Sequence, residues 1–224
     1  MKLLLASSGF TNEAIIEACE RLVGKPRSDI NFIVINEAIK GETGDMRWFA
    51  ETLFEIVNNF GGKMEFIDLQ AHSLEHVQER IAANDVIFCF GGNADYLAGV
   101  FRKTGFDQIL PSILEDKVWV GSSAGSCVLG YKESKAMSEK VFQEVQCTDH
   151  YLEIVPLVFL PHLHGWFQFG EKEVLQESEV VNVPVYALSD QAALVIIDDK
   201  MPQIVGEDYI IAENGNIATS LEVF

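Results

Sequence analysis

Ser123 is the middle residue of Gly121-Ser122-Ser123-Ala124-Gly125, a G-x-S-x-G that follows the apolar run Val118-Trp119-Val120. At a strand-to-helix junction this pattern is a nucleophile elbow, a sharp turn that lifts the serine hydroxyl clear of the backbone. Small flanking residues let strand and helix pass close together, and a helix N-terminus adds positive potential beside a developing oxyanion. The same five residues also suit a plain turn without chemistry, so the rest of the chain has to supply a base and an acid to orient it.

Five histidines are available as the base. His72 and His76 fall on a polar helical stretch with no third ligand at metal-binding spacing, and read as solvent-exposed. His150 sits in a polar loop. His162 and His164 follow the apolar residues 152–160 and Pro161, which places them near a strand end, with Pro161 fixing the backbone before His162. For the acid, Asp190 follows the apolar residues 183–188, again at a strand end. The order Ser123, His162, Asp190 differs from the Ser-Asp-His order of α/β-hydrolases. On the residues alone, His162 also suits a buried structural histidine and Asp190 a turn residue.

The elements that must position these groups are legible from periodicity. Strands are expected at residues 2–6, 30–35, 63–69, 85–90 and 117–120. Helices are expected from Thr11 or Asn12 to Gly24, over 46–60, over 73–83 with Ser73 as cap, and over 94–101. Strands alternating with helices predict an α/β fold, a mostly parallel sheet with helices on both faces. Ligands in such sheets bind beyond the carboxyl ends of the strands, where Gly91-Gly92-Asn93 and the Ser123 elbow can share one crevice. Residues 134–145 read as polar loop with short helix, and 171–176 as helix. Segments 183–188, 192–197, 203–205 and 209–211 read as a partly antiparallel C-terminal end of the same sheet. With no linker, repeat or low-complexity segment, residues 1–224 read as a single domain.

Composition narrows the function classes. Hydrophobic residues make up 48% of 224 and the formal net charge is −18. There is ample material for a core, and an acidic surface disfavours nucleic-acid or membrane-surface roles. The N-terminal apolar run is too short for a signal peptide and reads as a strand, and no stretch is long enough to span a bilayer. Cys19, Cys89, Cys127 and Cys147 are scattered, which suggests neither a disulfide framework nor a zinc site. The expected location is the cytoplasm, as a monomer or homodimer, with no metal and no cofactor; no phosphate-cradling G-x-G-x-x-G is present.

Gly91-Gly92-Asn93 on the fourth strand, the elbow on the fifth, Pro161-His162 and an acid after the next strand together resemble the peptidase E family. These are cytoplasmic serine peptidases that include the α-aspartyl dipeptidase, with cyanophycinase as a relative. The resemblance covers most of the chain in element order. It implies a fold like the class I glutamine amidotransferases, of flavodoxin-like type, and a catalytic triad. Ser123 would be the nucleophile, His162 the general base and Asp190 the acid, where the family often has glutamate. The backbone N–H groups of Gly92 and Ala124 would form the oxyanion hole, and Asn93 and His164 would contact substrate. The aspartyl dipeptidases are similar in carrying an arginine downstream of the histidine for the substrate's aspartyl side chain. Here no arginine lies between His162 and Asp190, which argues against strict Asp-X specificity. The expectation is a dipeptidase E-like serine peptidase acting on small peptides. The alternatives are a weak or inactive relative that binds peptides or small molecules, or another acyl hydrolase on the same fold.

Overall fold

A computed structural model describes residues 1–142, 148–198 and 200–218. Cys147 and part of the 134–145 segment fall outside these residues. The first half of the chain alternates β1 (Lys2–Ala6), α1 (Glu13–Val23), β2 (Phe32–Ile35), α2 (Arg47–Asn59), β3 (Met64–Ile67), α3 (Leu74–Ala82) and β4 (Val86–Cys89). Then come α4 (Ala94–Thr104), α5 (Phe106–Asp116), β5 (Val118–Ser122) and a single turn, α6 (Ala124–Cys127). The second half holds α7 (Lys135–Met137), β6 (Val158–Leu160), α8 (Glu171–Val180), β7 (Val185–Leu188), β8 (Ala192–Ile197), β9 (Gln203–Gly206), β10 (Tyr209–Glu213) and β11 (Asn216–Ile217).

Local chemistry sets the boundaries. Asn12 caps α1 by accepting the Ile15 N–H at 3.1 Å, and Gly24 ends the helix in the left-handed conformation at φ 75°, as glycine does without a Cβ penalty. Ser73 caps α3 and Asn93 caps α4. The sequence reading leaves 106–116 unassigned. Those residues form α5, which follows α4 directly after a left-handed Gly105 and carries Pro111 on its exposed side.

The large sheet has the order β3-β2-β4-β5-β1-β8-β9. Its first five strands run parallel, and β8 and β9 extend it antiparallel. Alternate residues face opposite layers. Leu3, Leu5, Ile87 and Trp119 pack with α3, α4 and α5, whereas Leu4, Phe88 and Val120 pack with α1 and α2. Both faces are buried, which explains why these strands read as nearly continuous apolar runs.

One expectation is corrected here. The C-terminal strands do not all extend the first sheet: β11-β10-β7-β6 form a second, four-stranded sheet. Its β6 and β7 are also buried on both sides. Phe159, Tyr186, Leu188 and Ile211 face the main core, while Val158, Leu160, Val185 and Ala187 face a separate cluster that includes Val174 of α8. Two-sided burial looks the same in sequence whichever sheet a strand joins. Apolar pattern alone therefore could not divide β6, β7 and β10 from β8 and β9. The β10–β11 hairpin turns on Asn214-Gly215, both at positive φ, the pairing that a two-residue hairpin turn favours.

Candidate active site

The carboxyl ends of β1, β4 and β5 lie side by side, with Ala6 opposite Ser122 and Cys89 opposite Gly121. Ser123 leaves β5 with φ 49° and ψ −112°, a conformation that is costly for a residue with a Cβ. Its N–H donates to the Ala6 carbonyl at 3.0 Å, and its own carbonyl accepts from Ser126 and Cys127. Ser126 Oγ donates to the same Ala6 carbonyl at 2.8 Å. Gly125 makes the turn possible, since a Cβ there would stand 2.1 Å from the Cys89 carbonyl oxygen. The helix expected after the elbow is only one turn long, so a macrodipole contributes little here. The positive potential comes from individual N–H groups.

His162 follows β6 and Pro161 and itself adopts φ 64°. Its N–H donates to Ser7 Oγ at 2.7 Å, just beyond β1. The ring stands between two oxygens: Nε2 is 3.0 Å from Ser123 Oγ, and Nδ1 is 2.5 Å from Asp190 Oδ1. A carboxylate can only accept, so Nδ1 carries the proton and Nε2 is left to accept from the serine hydroxyl. Phe167 packs against the ring at 5.7 Å between centroids.

Asp190 lies in the crossing from β7 of the second sheet to β8 of the first. Its side chain is shorter than glutamate, and neighbouring residues bring its backbone close to the histidine. Thr11 Oγ1 donates to the Asp190 carbonyl at 2.6 Å, and Asn12 Nδ2 to that of Gln191 at 2.9 Å. Ser7 Oγ donates to Asp190 Oδ1 at 3.1 Å. Burial pushes the Asp190 carboxyl up, but the hydrogen bond and charge of His162, together with Ser7, outweigh it and hold the group below its ordinary value. Ser7 and Thr11 were missed in the sequence. Ser7-Ser8-Gly9 after β1 had the signal, a polar cluster at a strand end.

A cavity of about 30 Å³ opens beside Ser123, with Gly92, Ala124, Glu133, Tyr151 and Phe167 among its walls. Gly92 is at φ 126°, and a Cβ on it would collide with the Ala38 carbonyl at 2.6 Å. Among the described residues, the Gly92 and Ala124 N–H groups donate to no protein acceptor. Asn93 and His164 are not brought to this cavity. Asn93 Oδ1 accepts the Tyr96 N–H at 2.7 Å as a helix cap, and the half-exposed His164 ring faces Asp208 at 3.9 Å. Among the described residues, no basic side chain lines this cavity. Arg102 donates to the Tyr151 carbonyl at 2.7 Å, and Lys132 is bound to Asp95 at 2.5 Å and to the Thr148 carbonyl at 2.8 Å. His72 and His76 stack at 4.8 Å, and the described residues contain no group of three or more metal-ligating side chains. No helix among them is long and apolar enough to cross a membrane.

The sequence profile of peptidase family S51 matches residues 3–204, and the chain belongs to that family. It is similar to an uncharacterized peptidase from Listeria innocua serovar 6a, with 25% identity over 142 residues, 60% of this chain and 66% of that protein. It is also similar to an uncharacterized peptidase from Listeria monocytogenes serovar 1/2a, with 27% identity over 127 residues, 54% of this chain and 60% of that protein. These matches span slightly under two thirds of the relatives' length. The crystal structure of a peptidase from an acI-B1 actinobacterium shares the fold, with a TM-score of 0.71 at 18% identity over 99% of this chain and 94% of that one. The architecture is of the class I glutamine amidotransferase-like, flavodoxin-like type expected from the sequence.

Proposed function

We propose that this chain is a serine peptidase that hydrolyses small peptides through Ser123, His162 and Asp190. The observation that carries this reading is the unbroken relay from Ser123 Oγ to His162 Nε2 and from Nδ1 to Asp190, at 3.0 and 2.5 Å. Ser123 Oγ attacks the scissile carbonyl as His162 takes its proton. The Gly92 and Ala124 N–H groups receive the oxyanion. Collapse of the tetrahedral intermediate breaks the C–N bond, and the amine leaves with the proton held by His162. Water, deprotonated by the same ring, then releases the acyl group from Ser123. Asp190 keeps the imidazole in the required tautomer and stabilises its charged form.

The narrow cavity favours short substrates, as in a dipeptidase. An intact relay built on a strained serine counts against the alternative of a binding protein without turnover, because such strain has no purpose in a plain turn. The test is hydrolysis of a dipeptide and tripeptide library by the wild type and Ser123→Ala, alongside labelling with a fluorophosphonate. Turnover and labelling that disappear together in the variant support the reading. Turnover that survives in Ser123→Ala overturns it.

A further inference from the structure

The mechanism leaves one wall of the cavity unused. Glu133 lines the same space as Ser123, yet it is almost wholly enclosed, with 6% of its surface exposed. Its Oε1 has no hydrogen-bond partner; the buried Ser138 hydroxyl stands close enough to favour the charged carboxylate but closes no hydrogen bond to that oxygen. Other buried carboxyls nearby are satisfied. Asp95 holds Lys132, and Glu177 accepts from both the N–H and the hydroxyl of Ser134, at 2.6 and 2.5 Å. Leaving such an atom unpaired in the interior is costly. Glu55 Oε2 and Asp107 Oδ1 are also unpartnered, but Glu133 is the one that lines the Ser123 cavity, where an incoming group can complete the missing bond.

We infer that Glu133 is the specificity-determining residue of the Ser123 cavity and receives an ammonium group of the substrate. The inference rests on the peptidase reading above and names the chemistry which that site selects. Glu133 is the single carboxyl among the cavity walls, and no basic side chain lines them. The nearby Lys132 ammonium is already engaged by Asp95 and Thr148. An acidic substrate side chain would therefore meet an acidic wall. The space admits about one water-sized group, which an ammonium matches. Burial pushes the Glu133 carboxyl up, against the pull of its own backbone N–H, the Lys132 charge and the Ser138 hydroxyl, with Glu177 adding to the rise. A cation entering beside it would offset that rise and favour the ionised carboxylate. The ammonium has two possible sources, the substrate's free α-amino group or a lysine side chain.

Four dipeptide substrates separate them: Ala-Ala, N-acetyl-Lys-Ala, N-acetyl-Ala-Ala and Asp-Ala. In the wild type, kcat/KM for Ala-Ala or for N-acetyl-Lys-Ala should exceed that for N-acetyl-Ala-Ala on the order of 100-fold, as a buried charge-assisted hydrogen bond allows. Whichever of the two is preferred identifies the source, and Asp-Ala should be slower than Ala-Ala. In Glu133→Gln the ratio should collapse toward unity, and Glu133→Asp should restore part of it. A merely structural glutamate would lower all four substrates alike, and that result overturns the inference. So does a wild type whose Ser123 is labelled by fluorophosphonate and which shows no preference for an ammonium. A wild-type Ser123 that takes no label and turns over no peptide instead removes the peptidase reading itself, and the inference with it.

Discussion

Two sides of one small cavity follow opposite rules. On the Ser123 side, each polar group that positions the chemistry has a partner: Ser7 joins His162 to Asp190, Thr11 pins the Asp190 backbone, and Ala6 holds the elbow. On the Glu133 side, the buried Oε1 of the lining carboxyl has none. A satisfied network fixes geometry, because every alternative arrangement breaks a bond. An unsatisfied buried oxygen costs stability and gains a use when something arrives to complete it. On the proposed reading, the contrast separates the part of the site that performs the reaction from the part that chooses the substrate.

Changes to the satisfied side should give the largest effects. Asp190→Asn keeps the size of the side chain but can stabilise the wrong imidazole tautomer. We expect kcat to fall on the order of 10⁴-fold with the fold intact by circular dichroism. A loss below tenfold would mean that Asp190 does not orient His162. Ser7→Ala removes one donor to Asp190 and one acceptor for the His162 N–H while leaving the relay itself. Its expected loss in kcat is roughly tenfold, equivalent to about one ordinary hydrogen bond. Steady-state kinetics with KM unchanged would identify Ser7 as a positioning residue, whereas a rise in KM alone would contradict that assignment.

The unsatisfied side should respond in the opposite direction in stability. Glu133→Gln removes a carboxyl that is costly to ionise when buried, so its thermal midpoint at neutral pH should rise by a few degrees as activity falls. A midpoint lower than that of the wild type would show that the empty cavity does not strain this residue.

The smallest expected effect, and the sharpest in sign, is in pH. The Asp190 carboxyl is held below its ordinary 3.8, so its stabilisation is complete above that value and is lost as pH falls through the lowered one. Glu133 is raised above 4.5, so stability declines as pH climbs from there through the raised value. Asp190→Asn should flatten the acid limb of stability against pH, and Glu133→Gln the limb just above it. Denaturant midpoints between pH 2 and 8 test both. Glu177 shifts in the same direction as Glu133, so the comparison must be variant against wild type.

Much of this molecule could be read from sequence where a signal is local. The parallel strands, the helix caps at Asn12 and Ser73, and the elbow at Ser123 all declare themselves within a few residues. Ser123, His162 and Asp190 could be selected because each follows an apolar strand, and strand ends converge in this fold. Two kinds of information were not local. The assignment of β6, β7 and β10 to a second sheet depends on which core receives their alternate faces. The place of Glu133 depends on the enclosure made by Tyr151 and Phe167, far along the chain. Asn93 and His164 stand next to site residues in sequence, yet their side chains turn to a helix cap and to Asp208 instead.

The division of the strands also bears on when the chain can act during folding. Ser123 ends a strand of the first sheet, His162 follows a strand of the second, and Asp190 lies in the segment that passes from one to the other. The three groups therefore meet only after the two sheets have docked and β8 has paired with β1. A partly folded chain carries a serine without its base, which is a poor nucleophile. On refolding, reactivity toward fluorophosphonate should return with the last structural phase and not with the first; labelling that precedes β8 docking would contradict this order. The seam between the sheets thus sets the moment at which the serine becomes reactive.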